Sequence, residues 1–228
     1  MKNAAYTKEY ITYRRHQEAV FNSNFFKSEE IVTLSSHYRL RSRSYAGYVG
    51  EYHLHAAEHE LLDLSGRVLY TYRNLDDSAE FHRIIEHSDG GSYLIFRTDL
   101  YGYSVLDLTT LRDFHYIPSD SFPTGETFIW TDVFYNREND VLAVSGCYWA
   151  CPFGTLLVDF SHPMELPERW VDVQEQLENG YDRYDDVDFE EWRGTDLILK
   201  AMDCETEKQI TISLSGQTYG KWLKERRT

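Results

Sequence analysis

The sequence predicts an all-β protein assembled from about four repeats of antiparallel strands. Three observations lead to this fold class. Aromatic residues make up 15% of the chain, with 18 tyrosines, and such residues favour half-buried pleated surfaces. Short segments alternate apolar and polar residues between turn-forming clusters, as strands do. A short pattern also recurs four times along the chain.

The recurring pattern is an apolar pair or triplet, a small or acidic residue, a further apolar residue, then a hydroxyl and a turn. Its copies are LLDLSG (61–66), VLDLTT (105–110), LVDFSH (157–162) and TISLSG (211–216). With Asp63, Asp107, Asp159 and Ser213 taken as equivalent, the separations are 44, 52 and 54 residues. These spacings are close to the period of about 40–50 residues typical of blade-forming repeats.

The segments around each copy predict the same order of elements. Residues 37–66, 80–110, 128–161 and 187–216 each read as strand, tight turn, strand, loop and strand. In the last three, the tight turns are SDGG, NREND and RGTD. A fourth short segment follows each copy: RVLYTYR, LRDFHYI, ELPERWVDV and TYGKWL.

In these repeats the chain resembles the WD40-like class of β-propeller proteins. The resemblance lies in ENDVLAVSG followed by GTLLVDFS and in GGSYLIF followed by YSVLDLTT, and it covers about residues 37–223. The His-containing and Trp-Asp dipeptides of the class are absent. The resemblance implies a β-propeller-like array of four or five repeats, and another all-β arrangement stays open.

The expected organisation is one β-propeller-like domain over residues 36–228, preceded by an N-terminal extension over residues 1–35. Two readings of the extension are open. Residues 7–26 form a helix, or residues 31–34 add an outer strand to the last repeat and close the ring. Ring closure would remove the exposed edges that an open array leaves.

Charge and composition restrict the partners. The chain carries 23 Lys and Arg against 38 Asp and Glu, a net charge of −15, and an acidic surface repels phosphate backbones. No segment has the apolar length of a signal peptide or a membrane span. Three cysteines in 228 residues do not make a disulfide framework. We therefore expect a cytoplasmic protein that binds neither nucleic acid nor membrane, and the sequence does not predict its oligomeric state.

The loop GCYWACPFG (146–154) is the longest and most aromatic connection between a second and a third strand. Its predicted equivalents are residues 55–60, 98–103 and 203–208, which a propeller would place on one face. Aromatic side chains dominate binding hot spots. The predicted contact residues are Tyr101, Tyr103, Tyr148, Trp149 and Phe153.

Histidines and cysteines in the same loops form an alternative set, suited to a transition metal such as zinc. His53 and His55 alternate on a strand and share a face. In one extended strand, Cys147 and Cys151 would lie about 13 Å apart, so only a folded loop brings the thiols together. The predicted metal ligands are His53, His55, His59, Cys147, Cys151 and Cys204.

Two charged segments are complementary. Arg39, Arg41 and Arg43 share one face of a strand, and residues 181–192 carry a run of Asp and Glu. If the first and last repeats adjoin, these charges face each other.

The sequence contains no GxSxG elbow, no HExxH motif, no P-loop and no GxGxxG motif. The predicted function is a non-catalytic binding or interaction module that uses an aromatic and acidic loop face and no cofactor. Its partner would be a protein or a basic peptide. The alternative is a metal-assisted hydrolase that uses a cluster of His, Cys and carboxylate side chains.

Overall fold

The computed structural model of the chain describes residues 2–76 and 80–224, which fold mainly into four antiparallel sheets. The predicted all-β class is confirmed. The described residues form two compact units. The first comprises residues up to 85 together with 92–127, and the second comprises 86–91 together with the residues from 128 onward. The prediction of a single domain over residues 36–228 stays a prediction.

The first unit contains helix α1 (Lys8–Gln17), which confirms a helix in the first half of the predicted segment 7–26 but not in the second half. The helix starts after Thr7, whose hydroxyl accepts the backbone N–H of Tyr10 at 3.3 Å. Such a cap satisfies one of the N–H groups that the first turn leaves without a partner.

The first sheet contains strands β1 (Phe26–Thr33), β2 (Tyr38–Val49), β3 (Tyr52–Asp63) and β4 (Val68–Asn74), in that order. β1 pairs with β2. The prediction that residues 31–34 add a strand to the last repeat is therefore wrong, because this segment is the edge of the first sheet. β2 and β3 pair without a register shift from Tyr38 opposite Asp63 to Val49 opposite Tyr52.

The second sheet contains β5 (His82–Glu86), β6 (Ser92–Phe96), β7 (Tyr103–Asp107) and β8 (Asp113–Tyr116), in that order. The two sheets of the first unit share one apolar core. Leu40 and Leu61 come from the first sheet, and Leu94, Phe96 and Leu106 come from the second.

The second unit contains the third sheet and the fourth. The third has the order β12-β11-β10-β9, from β9 (Ile129–Asn136), β10 (Val141–Cys147), β11 (Phe153–Asp159) and β12 (Trp170–Asp172). Two short helices follow, α2 (Val173–Gln176) and α3 (Gly180–Arg183). The fourth sheet is β13 (Tyr184–Arg193), β14 (Asp196–Asp203) and β15 (Lys208–Leu214).

The last element of the described residues is helix α4 (Gly216–Lys224), which contains the fourth short segment of the last repeat, TYGKWL. The local hydrogen bonds explain why a helix begins here. The hydroxyl of Ser215 accepts the Thr218 N–H at 3.2 Å, which is a helix N-cap. The helix covers the core of the unit with Tyr219, which is buried and accepts a hydrogen bond from Asn139 Nδ2 at 2.6 Å.

The recurring sequence pattern has a local structural cause. In the first three sheets, the aspartate of the pattern ends the third strand and its carboxylate accepts the N–H two residues ahead. Asp63 accepts Ser65 N–H at 2.9 Å, Asp107 accepts Thr109 N–H at 2.8 Å, and Asp159 accepts Ser161 N–H at 3.1 Å. These are Asx turns, so the pattern marks where each third strand stops.

Two further sequence-based expectations bear on the fold. Arg41 and Arg43 pair with glutamates of their own sheet, Glu60 at 2.7 Å and Glu29 at 2.7 Å. These charges are therefore paired within the first unit, and the expectation that they face the acidic run of residues 181–192 stays a prediction. Among the helices of the described residues, none is both long and apolar enough to cross a lipid bilayer.

Candidate functional site

The connection between β10 and β11 projects aromatic side chains from the second unit. Cys147 pairs with Phe153 across the hairpin, so residues 148–152 form the connection. Cys151 N–H donates to Tyr148 O at 3.0 Å, and Ala150 has a φ of +57°. This tight turn directs Trp149 outward with 58% of its surface exposed, and Tyr148 and Phe153 are 38% and 42% exposed. Exposure is what their predicted contact role requires.

A fourth exposed ring is that of Tyr181 in α3, a residue that the sequence did not single out. Tyr181 is 54% exposed and its hydroxyl donates to Asp172 Oδ2 at 2.6 Å. Burial and this hydrogen bond raise the pKa of the Tyr181 phenol, and the electrostatic interaction with nearby Tyr148 raises it further. We call Tyr148, Trp149, Phe153 and Tyr181 the aromatic surface.

A bulge in β13 places carboxylates beside the aromatic surface. The pairing of β13 with β14 shifts register between Asp185 and Asp188, and Asp186 in the bulge has a φ of +50°. The Asp186 carboxylate accepts the Phe153 N–H at 3.1 Å. Asp185, Asp186 and Asp188 have no ion-pair partner among residues 2–76 and 80–224, and we call these three the acidic rim. Burial, and then the charge of Asp186, raise the pKa of Asp188.

One buried hydrogen bond holds this bulge in place. Thr155, in β11, donates its hydroxyl to the backbone oxygen of Val187 at 2.7 Å. Val187 lies in the bulge, outside the β13–β14 ladder, and both residues are fully buried. The side chain of Thr155 thus supplies a hydrogen bond that the strand partner does not, and it ties the acidic rim to the hairpin of the aromatic surface.

The other two predicted contact residues belong to the first unit. Tyr101 lies half-buried in the connection between β6 and β7. Tyr103 is 1% exposed and packs its ring 5.7 Å from that of Tyr116. Its predicted role as an exposed contact is wrong, because β7 begins at this residue and turns it into the core.

The three cysteines are free thiols. Burial, and then the neighbouring Cys151, raise the pKa of Cys147, which disfavours the thiolate form that binds metals. Cys204 lies in the turn between β14 and β15. In the part of the chain that the structure describes, the one group of three potential metal ligands excludes all three cysteines. Their predicted role as ligands of one shared ion finds no support in this geometry.

The predicted histidine ligands separate into two sets. His53 and His55 are exposed on β3, with ring centroids 4.9 Å apart. His59 is fully buried in the same strand. The prediction that residues 55–60 form a loop is wrong, since β3 runs unbroken through them.

His59 lies instead beside two residues that sequence reasoning missed, Glu80 and His82. One ligand atom from each lies within 4.8 Å of the other two. Burial lowers the pKa of His82 to about 3. Burial alone would raise the pKa of Glu80, but its hydrogen bond to His59 and the nearby charge of that ring lower it. The sequence does contain a signal for this pair, because Glu80 and His82 alternate around Phe81 in the manner of His53 and His55.

A cavity of about 380 Å³ also lies in the first unit, a size that suits a small ligand. Its wall includes Tyr10, Arg14, Glu58, Tyr72 and Arg73. The charges on the wall are paired: Arg73 lies 2.9 Å from Glu58, and Arg14 lies 3.4 Å from Glu18. The cavity joins residues from α1, β3 and β4, which no local pattern connects.

Comparison with protein-family models and with curated proteins finds no match for this chain.

Proposed function

We propose that the protein is a non-catalytic binding module that recognises a basic segment of a protein or peptide. The contact is made by the aromatic surface and the acidic rim of the second unit. The observation that carries the proposal is the exposure of Trp149 in a tight turn beside the acidic rim, whose carboxylates have no cationic partner among residues 2–76 and 80–224.

The chemistry of this surface suits Arg and Lys side chains. Trp and Tyr rings offer large contact area at low entropic cost, and their faces attract cations. A carboxylate such as that of Asp186 pairs with a guanidinium through charge-assisted hydrogen bonds. The net charge of −15 would also accelerate the encounter with a basic partner and slow the encounter with a nucleic acid.

The test uses arrayed synthetic peptides in which arginine and lysine are placed systematically, each with a partner peptide that carries glutamine at those positions. Binding of the full chain is measured by fluorescence anisotropy. We expect Trp149→Ala to weaken binding by at least about 10-fold, as loss of a hot-spot residue does.

Two further variants test whether binding depends on the proposed contact surface or on another part of the chain. Asp186→Asn removes one charge, but asparagine can still accept the Phe153 N–H and tolerates a positive φ. This variant should weaken peptide binding several-fold and make the binding less dependent on salt. Tyr52→Ala removes an exposed ring of the first unit and should leave binding unchanged. Binding that survives both Trp149→Ala and Asp186→Asn, or an array without any charge-dependent binder, contradicts the proposal.

The arrangement of the sheets as a WD40-like propeller is also a proposal. It is supported by the strand order, because the strands of each of the four sheets follow one another in chain order. A crystal structure of the full chain tests it, and sheets that do not stand radially around one axis would contradict it.

A further inference from the structure

We propose that His59, Glu80 and His82 form a binding site for one divalent transition-metal ion of the zinc type. The site lies within the first unit and is independent of the aromatic surface. The three ligand atoms lie within 4.8 Å of one another, and His59 Nε2 is in direct contact with Glu80 Oε1. One ion at bond lengths of about 2.0–2.2 Å reaches all three after small side-chain adjustments.

The ligands converge from two parts of the first unit. His82 is the first residue of β5, and Glu80 lies two residues before it, ahead of the strand. His59 comes from β3, in the other sheet of the unit. The imidazole rings of His59 and His82 have centroids 4.9 Å apart at an angle of 62°.

The two strands that flank β3 fix the orientation of the His59 ring. Ser42 lies directly opposite His59 on β2, and its hydroxyl is hydrogen-bonded to His59 Nδ1 at 2.9 Å. Tyr72 lies opposite on β4 and stacks on the ring at 4.7 Å. A partner on the far ring nitrogen is typical of metal-binding histidines, because it sets the tautomer and the direction of the other nitrogen. Here it directs Nε2 towards Glu80.

Burial leaves polar atoms of this group without ordinary hydrogen bonds. His82 Nε2 is shielded from solvent and has no hydrogen-bond partner among residues 2–76 and 80–224, and the equally shielded His59 Nε2 and Glu80 Oε1 contact each other. Such atoms are rare in native proteins and call for an explanation, which a bound ion provides.

The donor set identifies the class of ion. Two imidazole nitrogens and one carboxylate oxygen suit zinc and neighbouring divalent metals, whereas calcium and magnesium take sets of oxygen ligands. Three protein ligands leave a tetrahedral ion one position for water, as in hydrolytic zinc sites. Of the ligands predicted from sequence, this site retains His59 alone.

The experiment titrates zinc chloride into the chelator-treated full chain in the presence of a chromophoric competing chelator. We expect one zinc ion per chain. Ser42→Ala removes only the hydrogen-bond partner of a ligand, so it should weaken zinc binding by roughly 10–100-fold. Glu80→Gln and His82→Gln each remove a ligand, so each should weaken zinc binding by more than this. Circular dichroism confirms that each variant is folded. If His82→Gln does not fold, Glu80→Gln decides, because the Glu80 side chain is partly exposed.

Two controls exclude other ligands. The double variant His53→Gln/His55→Gln removes exposed imidazoles from the same strand, and the triple variant Cys147→Ser/Cys151→Ser/Cys204→Ser removes every thiol. Both should bind zinc as the wild type does. In addition, cobalt in place of zinc should show visible bands without a thiolate charge-transfer band.

The opposing interpretation is that His59 and Glu80 form a buried ion pair and hold no metal. Failure of the wild-type chain to bind zinc stoichiometrically at micromolar concentration would establish that interpretation and overturn the proposal. Unchanged zinc affinity in both Glu80→Gln and His82→Gln, or loss of zinc from the thiol-free variant, would overturn it equally.

Discussion

Replacing Thr155 by valine tests whether one side-chain hydrogen bond holds the bulge that carries the acidic rim. Valine has nearly the shape of threonine, so the substitution removes the donor and leaves the packing intact. The backbone oxygen of Val187 then loses its 2.7 Å hydrogen bond at a site without solvent. A buried carbonyl left without a partner costs about 1–3 kcal/mol. For a chain of this size, each kcal/mol lowers the midpoint of thermal unfolding by about 2–4 °C.

Tryptophan fluorescence in urea measures this loss in the right part of the molecule, because all five tryptophans lie in the second unit. Thr131→Val is the matched control. Thr131 donates its hydroxyl to Ser145 O at 3.1 Å, but it is only half-buried, so water replaces the donor and the loss should stay below about 1 kcal/mol. A Thr155→Val chain as stable as the wild type, or one that loses no more than Thr131→Val, would refute the role of this hydrogen bond.

Three further predictions concern the folded chain. Gly102→Ala should lower the free energy of unfolding by more than about 2 kcal/mol, because a Cβ there would lie 2.0 Å from Tyr116 O. The control Gly66→Ala has nearly the same φ and open space around it, so it should cost only about 1 kcal/mol of backbone strain. Equal losses of stability in urea unfolding would contradict the clash. Burial lowers the pKa of His115, with Asp113 opposing and Arg14 reinforcing the change. As the pH falls, the unfolded chain therefore binds this proton before the folded chain does, and the free energy of unfolding should fall below about pH 6.5. His115→Asn should make the free energy of unfolding depend less steeply on pH between pH 7 and 5. An unchanged pH dependence would show that His115 is not responsible. Ser215→Ala removes the N-cap of α4 and should lower the free energy of unfolding by about 1 kcal/mol. Tryptophan fluorescence would show this loss as a lower urea midpoint, and an unchanged midpoint would show that the cap does not stabilise the fold.

The sequence predicts the repeated sheets because their signals are local. Alternation with a period of two defines a strand, and an aspartate followed by a hydroxyl residue defines the turn that ends it. The same pattern fails in the fourth copy, where Ser213 replaces the aspartate and Ser215 caps a helix. The outward position of Trp149 was likewise predictable, since a short hairpin connection cannot bury all its side chains.

The candidate sites depend on contacts that no local pattern contains. Asp186 reaches the aromatic surface where β13 bulges, and the residue that is hydrogen-bonded to this bulge, Thr155, lies more than 30 residues earlier in the chain. His59 is separated from His53 and His55 by its burial, although all three share one strand.

Sequence alone therefore determined where the third strand stops in the first three sheets and that one loop is aromatic, since these features follow from the preferences of neighbouring residues. Tertiary structure decided which side chains meet. Whether His59 faces Glu80 and His82, and whether Tyr103 is inside or outside, is set by strand register and by the packing of one sheet on another within the first unit. Those choices depend on the summed burial of many residues far apart in the chain.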